Sequence, residues 1–183
     1  MKRKLLLYLC LATLTQCSKC KRDDPTPADP AAALPPATQT GANTFGCLVN
    51  GQPYTPSGNN GTANYAVLYD PGFQGGSLQV RTYRYLEQNK IQYLVIGGIN
   101  INRTATFLIG RSNDAGAFFT DDYRNAPCND YDSSRSGTFS KGDLTITRLD
   151  LQAGILSGTF NFTLAQPGCD TVKVTQGRFD KKL

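Results

Sequence analysis

The stretch from Leu144 to Thr175, LTITRLDLQAGILSGTFNFTLAQPGCDTVKVT, decides the fold class. Leu144 and Ile146 alternate with Thr145 and Thr147. Phe160, Phe162 and Leu164 alternate with Thr159, Asn161 and Thr163, and Val172 and Val174 alternate with Lys173 and Thr175. A period of two puts one set on a core face and the other in water, which is the signature of a half-buried strand. Gln152-Ala153-Gly154 and Gln166-Pro167-Gly168 supply turns between the segments. Three such strands joined by short turns predict an antiparallel meander.

Upstream, the same signals recur. Phe45 to Val49 runs into Asn50-Gly51, the preferred pair for a tight hairpin turn. The return arm meets Pro53 and Pro56, so it is expected to be short or at a sheet edge. Tyr65–Tyr69, Leu78–Leu86, Ile91–Ile96, Thr104–Ile109 and Ala117–Thr120 read as further strands. No run of helical period exceeds two turns. Many short strands without helices predict an all-β domain over residues 44–183. An antiparallel β-sandwich is the favoured form, and a flattened or half-open β-barrel the alternative. Strand order does not follow from these patterns.

The N-terminus is of another kind. Lys2, Arg3 and Lys4 precede an apolar run from Leu5 to Leu14, then Leu14-Thr15-Gln16-Cys17. The run is about 10 residues, half of what a membrane-crossing helix needs. Positive start, short apolar run and processing site make an export signal over residues 1–16. Leu-Thr-Gln-Cys looks like a lipoprotein processing site, with Gln16 where a small residue is usual. Cys17 is thus the expected lipidated residue, anchoring the chain in the outer membrane, facing the periplasm or the cell surface. Two acyl chains already anchor stably. Residues 17–43 are rich in Pro and Ala and predict a disordered tether. Asp23-Asp24, just after Cys17, reads equally as a surface-export signal or an ordinary solvated pair.

Composition excludes several functions. The net charge of +5 is mostly the signal, which holds three of the 19 Lys and Arg and none of the 14 Asp and Glu. No basic stripe remains for nucleic acid. The chain has no His. That removes Ser-His-Asp and Cys-His catalysis and the commonest zinc ligand. No catalytic residue, metal or cofactor is expected, and a hydrolase ranks third among the functional readings. Asp121-Asp122 and Asp130-Tyr131-Asp132 offer carboxylates for calcium, but without EF-hand spacing they read as a polar loop.

With Cys17 lipidated, Cys20, Cys47, Cys128 and Cys169 allow three pairings. Cys47 sits inside an apolar strand, where a thiol acts as a small hydrophobe. Cys128 and Cys169 lie in turn-rich sequence, and an exported compartment permits disulfides. Cys128–Cys169 is the favoured pair.

Arg81, Tyr83 and Tyr85 share a strand face, and exposed Tyr beside Arg suits a glycan or another envelope protein. They are the candidate partner-binding face. A binding or structural accessory module is therefore the leading function. A barrel carrying a small apolar ligand, lined by Phe139, Phe160 and Phe162, is the alternative.

Asn43-Thr44-Phe45-Gly46-Cys47-Leu48-Val49-Asn50-Gly51, Asp70-Pro71-Gly72-Phe73 and Gly142 to Asp150 form one set of landmarks. Ser157-Gly158-Thr159-Phe160 and Gly177-Arg178-Phe179-Asp180 complete it. Together they resemble a family of small bacterial lipoproteins of unknown function. The resemblance implies an anchor, a tether and a β-domain. It carries no activity or catalytic residue.

Overall fold

The computed structural model describes residues 29–87 and 89–183. The export signal, Cys17, Cys20 and Asp23-Asp24 lie outside them. A short 3-10 turn, Pro30–Ala33, precedes eleven strands. These are β1 (Thr44–Val49), β2 (Gln52–Tyr54), β3 (Tyr65–Asp70), β4 (Ser77–Glu87), β5 (Lys90–Gly98) and β6 (Thr106–Ile109), then β7 (Ala115–Asp121), β8 (Asp130–Asp132), β9 (Phe139–Asp150), β10 (Ile155–Ala165) and β11 (Val172–Lys182).

All belong to one sheet, in the order β2-β1-β11-β10-β9-β6-β7-β5-β4-β3, with β8 beside β7. Every pairing is antiparallel except a single parallel contact between β6 and β7. The C-terminal meander forms as the alternation predicts, β9 to β10 to β11. Strand β9 starts at Phe139, earlier than its apolar pattern, because Ser140, Lys141 and Asp143 hide the strand period. Strand β8 was legible only as an acidic stretch.

The sheet does not close. It folds over until its two ends face each other, and Phe45 of β1 lies 5.7 Å from Tyr65 of β3, ring to ring. The result is the expected sandwich, with its core between the halves. Phe45 stacks on Phe160, and Phe160 on Phe162. Leu94, Ile96, Phe119, Leu144, Leu156 and Leu164 fill the rest. Phe139 is 57 % exposed and turns out to solvent, so the lining expected of Phe139, Phe160 and Phe162 is corrected. A charged pattern around Phe139 put it on the outside, while its partners pack against Phe45.

Two buried polar clusters tie the ends. The Tyr54 hydroxyl donates to the Gln92 carbonyl and shares a hydrogen bond with the Thr82 hydroxyl, and the Arg84 guanidinium stacks on the Tyr54 ring at 4.6 Å. Arg84 Nε also donates to Gln92 Oε1 at 2.8 Å. Cys47, fully buried and free, sits nearby, and burial pushes its thiol up to about 12.

The second cluster changes the domain boundary. Asp180 neighbours the inward Phe179 and so points to the opposite side of β11. There its carboxylate accepts hydrogen bonds from the Thr38 hydroxyl (2.7 Å) and the backbone N–H groups of Thr40, Gly41 and Ala42. The Ser157 hydroxyl adds another at 2.7 Å. Burial raises the cost of this charge, but the N–H of Ala42, the two hydroxyls and the N–H of Thr40 outweigh it, holding the carboxyl well below the usual range. Leu34 is buried, and Pro35 packs on Gly46 so closely that a Cβ there would lie 2.7 Å from its ring. The folded unit therefore starts near Leu34 rather than at residue 44. Pro and Ala give this segment no period to read, and its partners lie at the far end of the chain.

Candidate functional surface

Alternation along β4 and β5 sends Leu78, Val80, Leu94 and Ile96 into the core. Their neighbours form the outer face. Cross-strand register aligns Ala66, Arg81, Val95, Phe118 and Asp132 in one row. Leu68, Gln79, Gly97 and Gly116 make the next row. Tyr83, Tyr93 and Thr120 make the third.

The sequence placed Arg81, Tyr83 and Tyr85 together as an exposed face. They do share a face, but the exposure is corrected. Tyr83 is 4 % exposed. Its hydroxyl donates to the Thr62 carbonyl at 2.6 Å and accepts from the Asn60 N–H at 3.2 Å. Residues 57–64 fold over it. Gly58, at φ +84°, rides on the Tyr85 ring, where a Cβ would meet the ring at 2.6 Å. A left-handed, side-chain-free residue is what lets the loop lie so close. Tyr83 and Tyr85, T-shaped at 5.9 Å, are thus the bed of a loop. Arg81 and Tyr85 stay partly exposed, and Arg81 lines one depression with Tyr93 and Ala66.

The open part lies one row away. Tyr93 and Phe118 sit edge to face at 6.3 Å. Beside them, Gly97 and Gly116 face each other across β5 and β7 and carry no side chains to fill the space. A trough of about 340 Å³ results, floored by Val95, Phe118 and the two glycines and rimmed by Gln79, Asp132 and Ser134. Sequence reasoning missed Tyr93, Val95 and Phe118 because their strands read as continuous apolar runs, which predict burial on both faces. The paired Gly97-Gly98 and Gly116 were the available signal.

The acidic side chains have protein partners, except that Asp130 Oδ1 is buried without one. Asp121 accepts from the Tyr123 N–H and lies 3.5 Å from Arg124. Asp122 accepts from the Ile91 N–H, and Asp130 pairs with Arg135 at 2.8 Å. Among the described residues no three metal-ligating side chains converge. Cys128 and Cys169 are disulfide-bonded, with Cα atoms 5.3 Å apart. They tie the loop before β8 to the β10–β11 turn. Among the described residues no helix is long and apolar enough to cross a membrane.

Fold and surface together define an all-β sandwich with one open, aromatic outer face. No family model, curated protein or solved structure matches the chain.

Proposed function

We propose that this chain is a lipid-anchored binding module of the cell envelope, held by Cys17, that recognises a glycan chain on the outer face of β4, β5 and β7. The observation that carries the reading is the trough beside Tyr93 and Phe118. An edge-to-face aromatic pair next to a groove that two glycines help line offers apolar surface to a sugar ring. Gln79, Asp132 and Ser134 supply donors and acceptors at the rim for its hydroxyls. Function by recognition agrees with a chain that has no His. The anchor rests on the Lys2-Arg3-Lys4 start, the apolar run and the Leu-Thr-Gln-Cys site.

The test is binding of the full chain to soluble cell-wall and surface glycan fragments by calorimetry, beside Phe118→Ala and Tyr93→Ala. Both rings are half-buried, so each variant should fold and lose at least tenfold in affinity. Equal affinity in folded variants, or binding only to protein partners, overturns the glycan reading. Fatty-acid labelling that persists in Cys17→Ala overturns the anchor.

A further inference from the structure

The two ends of the sheet are guarded differently. At one end β2 has only three residues and contains Pro53, which offers no N–H. At the other, β3 has six residues and pairs in unbroken register with β4 alone. Natural edges are usually blunted by lysine, proline or a bulge. Strand β3 has none of these, and its only charge is Asp70.

Which backbone groups face outward follows from one hydrogen bond. The Tyr83 N–H donates to the Asn64 carbonyl at 3.0 Å. Bonded pairs alternate along an antiparallel ladder, so Ala66 with Arg81 and Leu68 with Gln79 are the next ones. The N–H and C=O groups of Tyr65, Val67 and Tyr69 therefore point away from β4. Among the described residues nothing bonds to them.

We propose that β3 pairs antiparallel with β3 of a second copy of this chain, across a two-fold axis at Val67. Tyr65-Ala66-Val67-Leu68-Tyr69 reads almost the same in both directions. The axis sets Tyr65 opposite Tyr69 and Val67 opposite itself, so each outward donor meets an outward acceptor. Ala66 meets Leu68, which is 50 % exposed in the single chain. Asp70 falls opposite Asn64, so no like charges meet. A foreign strand would need no such palindrome. Because β2 is guarded, association closes at two copies instead of growing into a fibre. The pairing also joins the outer faces of both copies across β3. It stands or falls independently of what binds that face.

The experiment is sedimentation of the full chain in mild detergent, from micromolar to near-millimolar concentration, with hydrogen exchange read at single amides. The expected result is a monomer–dimer equilibrium in which the amides of Tyr65, Val67 and Tyr69 gain protection only as the dimer forms. Ala66→Glu with Leu68→Glu puts carboxylates opposite one another and should weaken association roughly tenfold. Ala66→Lys with Leu68→Glu pairs opposite charges at the same places and should restore it. A monomer at all concentrations, species larger than two, association without protection at the three amides, or indifference to the paired carboxylates each overturns the proposal. The protection measurement needs no variant and so does not depend on how the variants fold.

Discussion

The two halves of the sandwich treat their outer faces in opposite ways. On β9, β10 and β11 the outer rows are Thr145, Thr159, Asn161, Thr163 and Lys173, and the chain's own residues 38–42 close over Asp180 and Ser157. On β4, β5 and β7 the outer rows carry Tyr93, Val95 and Phe118, and among the described residues nothing beyond the 57–64 loop covers this face. A polar outer face needs no partner, whereas an apolar one beside an open trough has area to bury. On the proposed reading, recognition belongs to the second half, while the first is closed by the chain itself.

The sharpest way to break the closed half is Asp180→Ala. It strands the Thr38 and Ser157 hydroxyls and three backbone N–H groups at once. Stranded buried donors cost about 1–3 kcal/mol each before relaxation, and the segment can peel into water, so we expect a loss of about 4 kcal/mol in urea unfolding. Amides of residues 38–42 should exchange fast in a chain whose β4 and β5 amides stay protected. The pH dependence gives a second reading. The folded carboxyl of Asp180 is depressed, so its contribution is present above the unfolded value of about 4 and is lost as pH falls below it. Asp180→Asn should flatten that acid limb.

Removing the disulfide comes next. Cys128 and Cys169 are separated by 41 residues, and opening a loop of that size costs about 4 kcal/mol. Cys128→Ser with Cys169→Ser should lower the urea midpoint without changing glycan affinity, since the bond lies away from Tyr93 and Phe118. Lost affinity would mean that the two halves are coupled.

Alkaline titration probes the shared core. Burial holds the Cys47 thiol up near 12, so the folded chain keeps a proton that the unfolded chain releases above about pH 8.5. Stability should be full below that value and fall as pH rises, by at most about 1.4 kcal/mol per unit for this group. Tyr54 and Tyr65 are raised by burial too and add to the fall above about pH 10. Cys47→Ala should remove only the part that begins near pH 8.5. The smallest effect belongs to Tyr83→Phe, which deletes two hydrogen bonds to the 57–64 loop. About 1 kcal/mol is expected, with faster exchange confined to that loop.

What was legible in the sequence is what local period encodes. The meander, the Asn50-Gly51 hairpin, the edge position of β2 and the buried Cys47 all follow from spacing within a few residues. The Cys128–Cys169 pair followed from loop context and the removal of rivals. The pairing of β1 with β11 did not, because it joins positions over a hundred residues apart with no local mark. Nothing local marks the role of Asp180 in Gly-Arg-Phe-Asp, and its donors lie in a segment whose Pro and Ala suggest a tether. For Tyr83 the face was right and the exposure wrong, since alternation says nothing of a loop that later folds over. Tyr93 and Phe118 escaped notice in apolar runs that concealed which side faced water.

The Asp180 contacts also set an order of events in time. Thr38 reaches a carboxylate 142 positions away, and β1, beside β2 on one side, finds its other neighbour only in β11. Contacts this distant in sequence form slowly and late. The beginning of the domain must therefore wait, unlatched, until its end has been delivered. A chain cut short anywhere before β11 leaves Thr38, Thr40, Gly41 and Ala42 with nothing to hold, which makes the final residues a completeness check on everything synthesised before them.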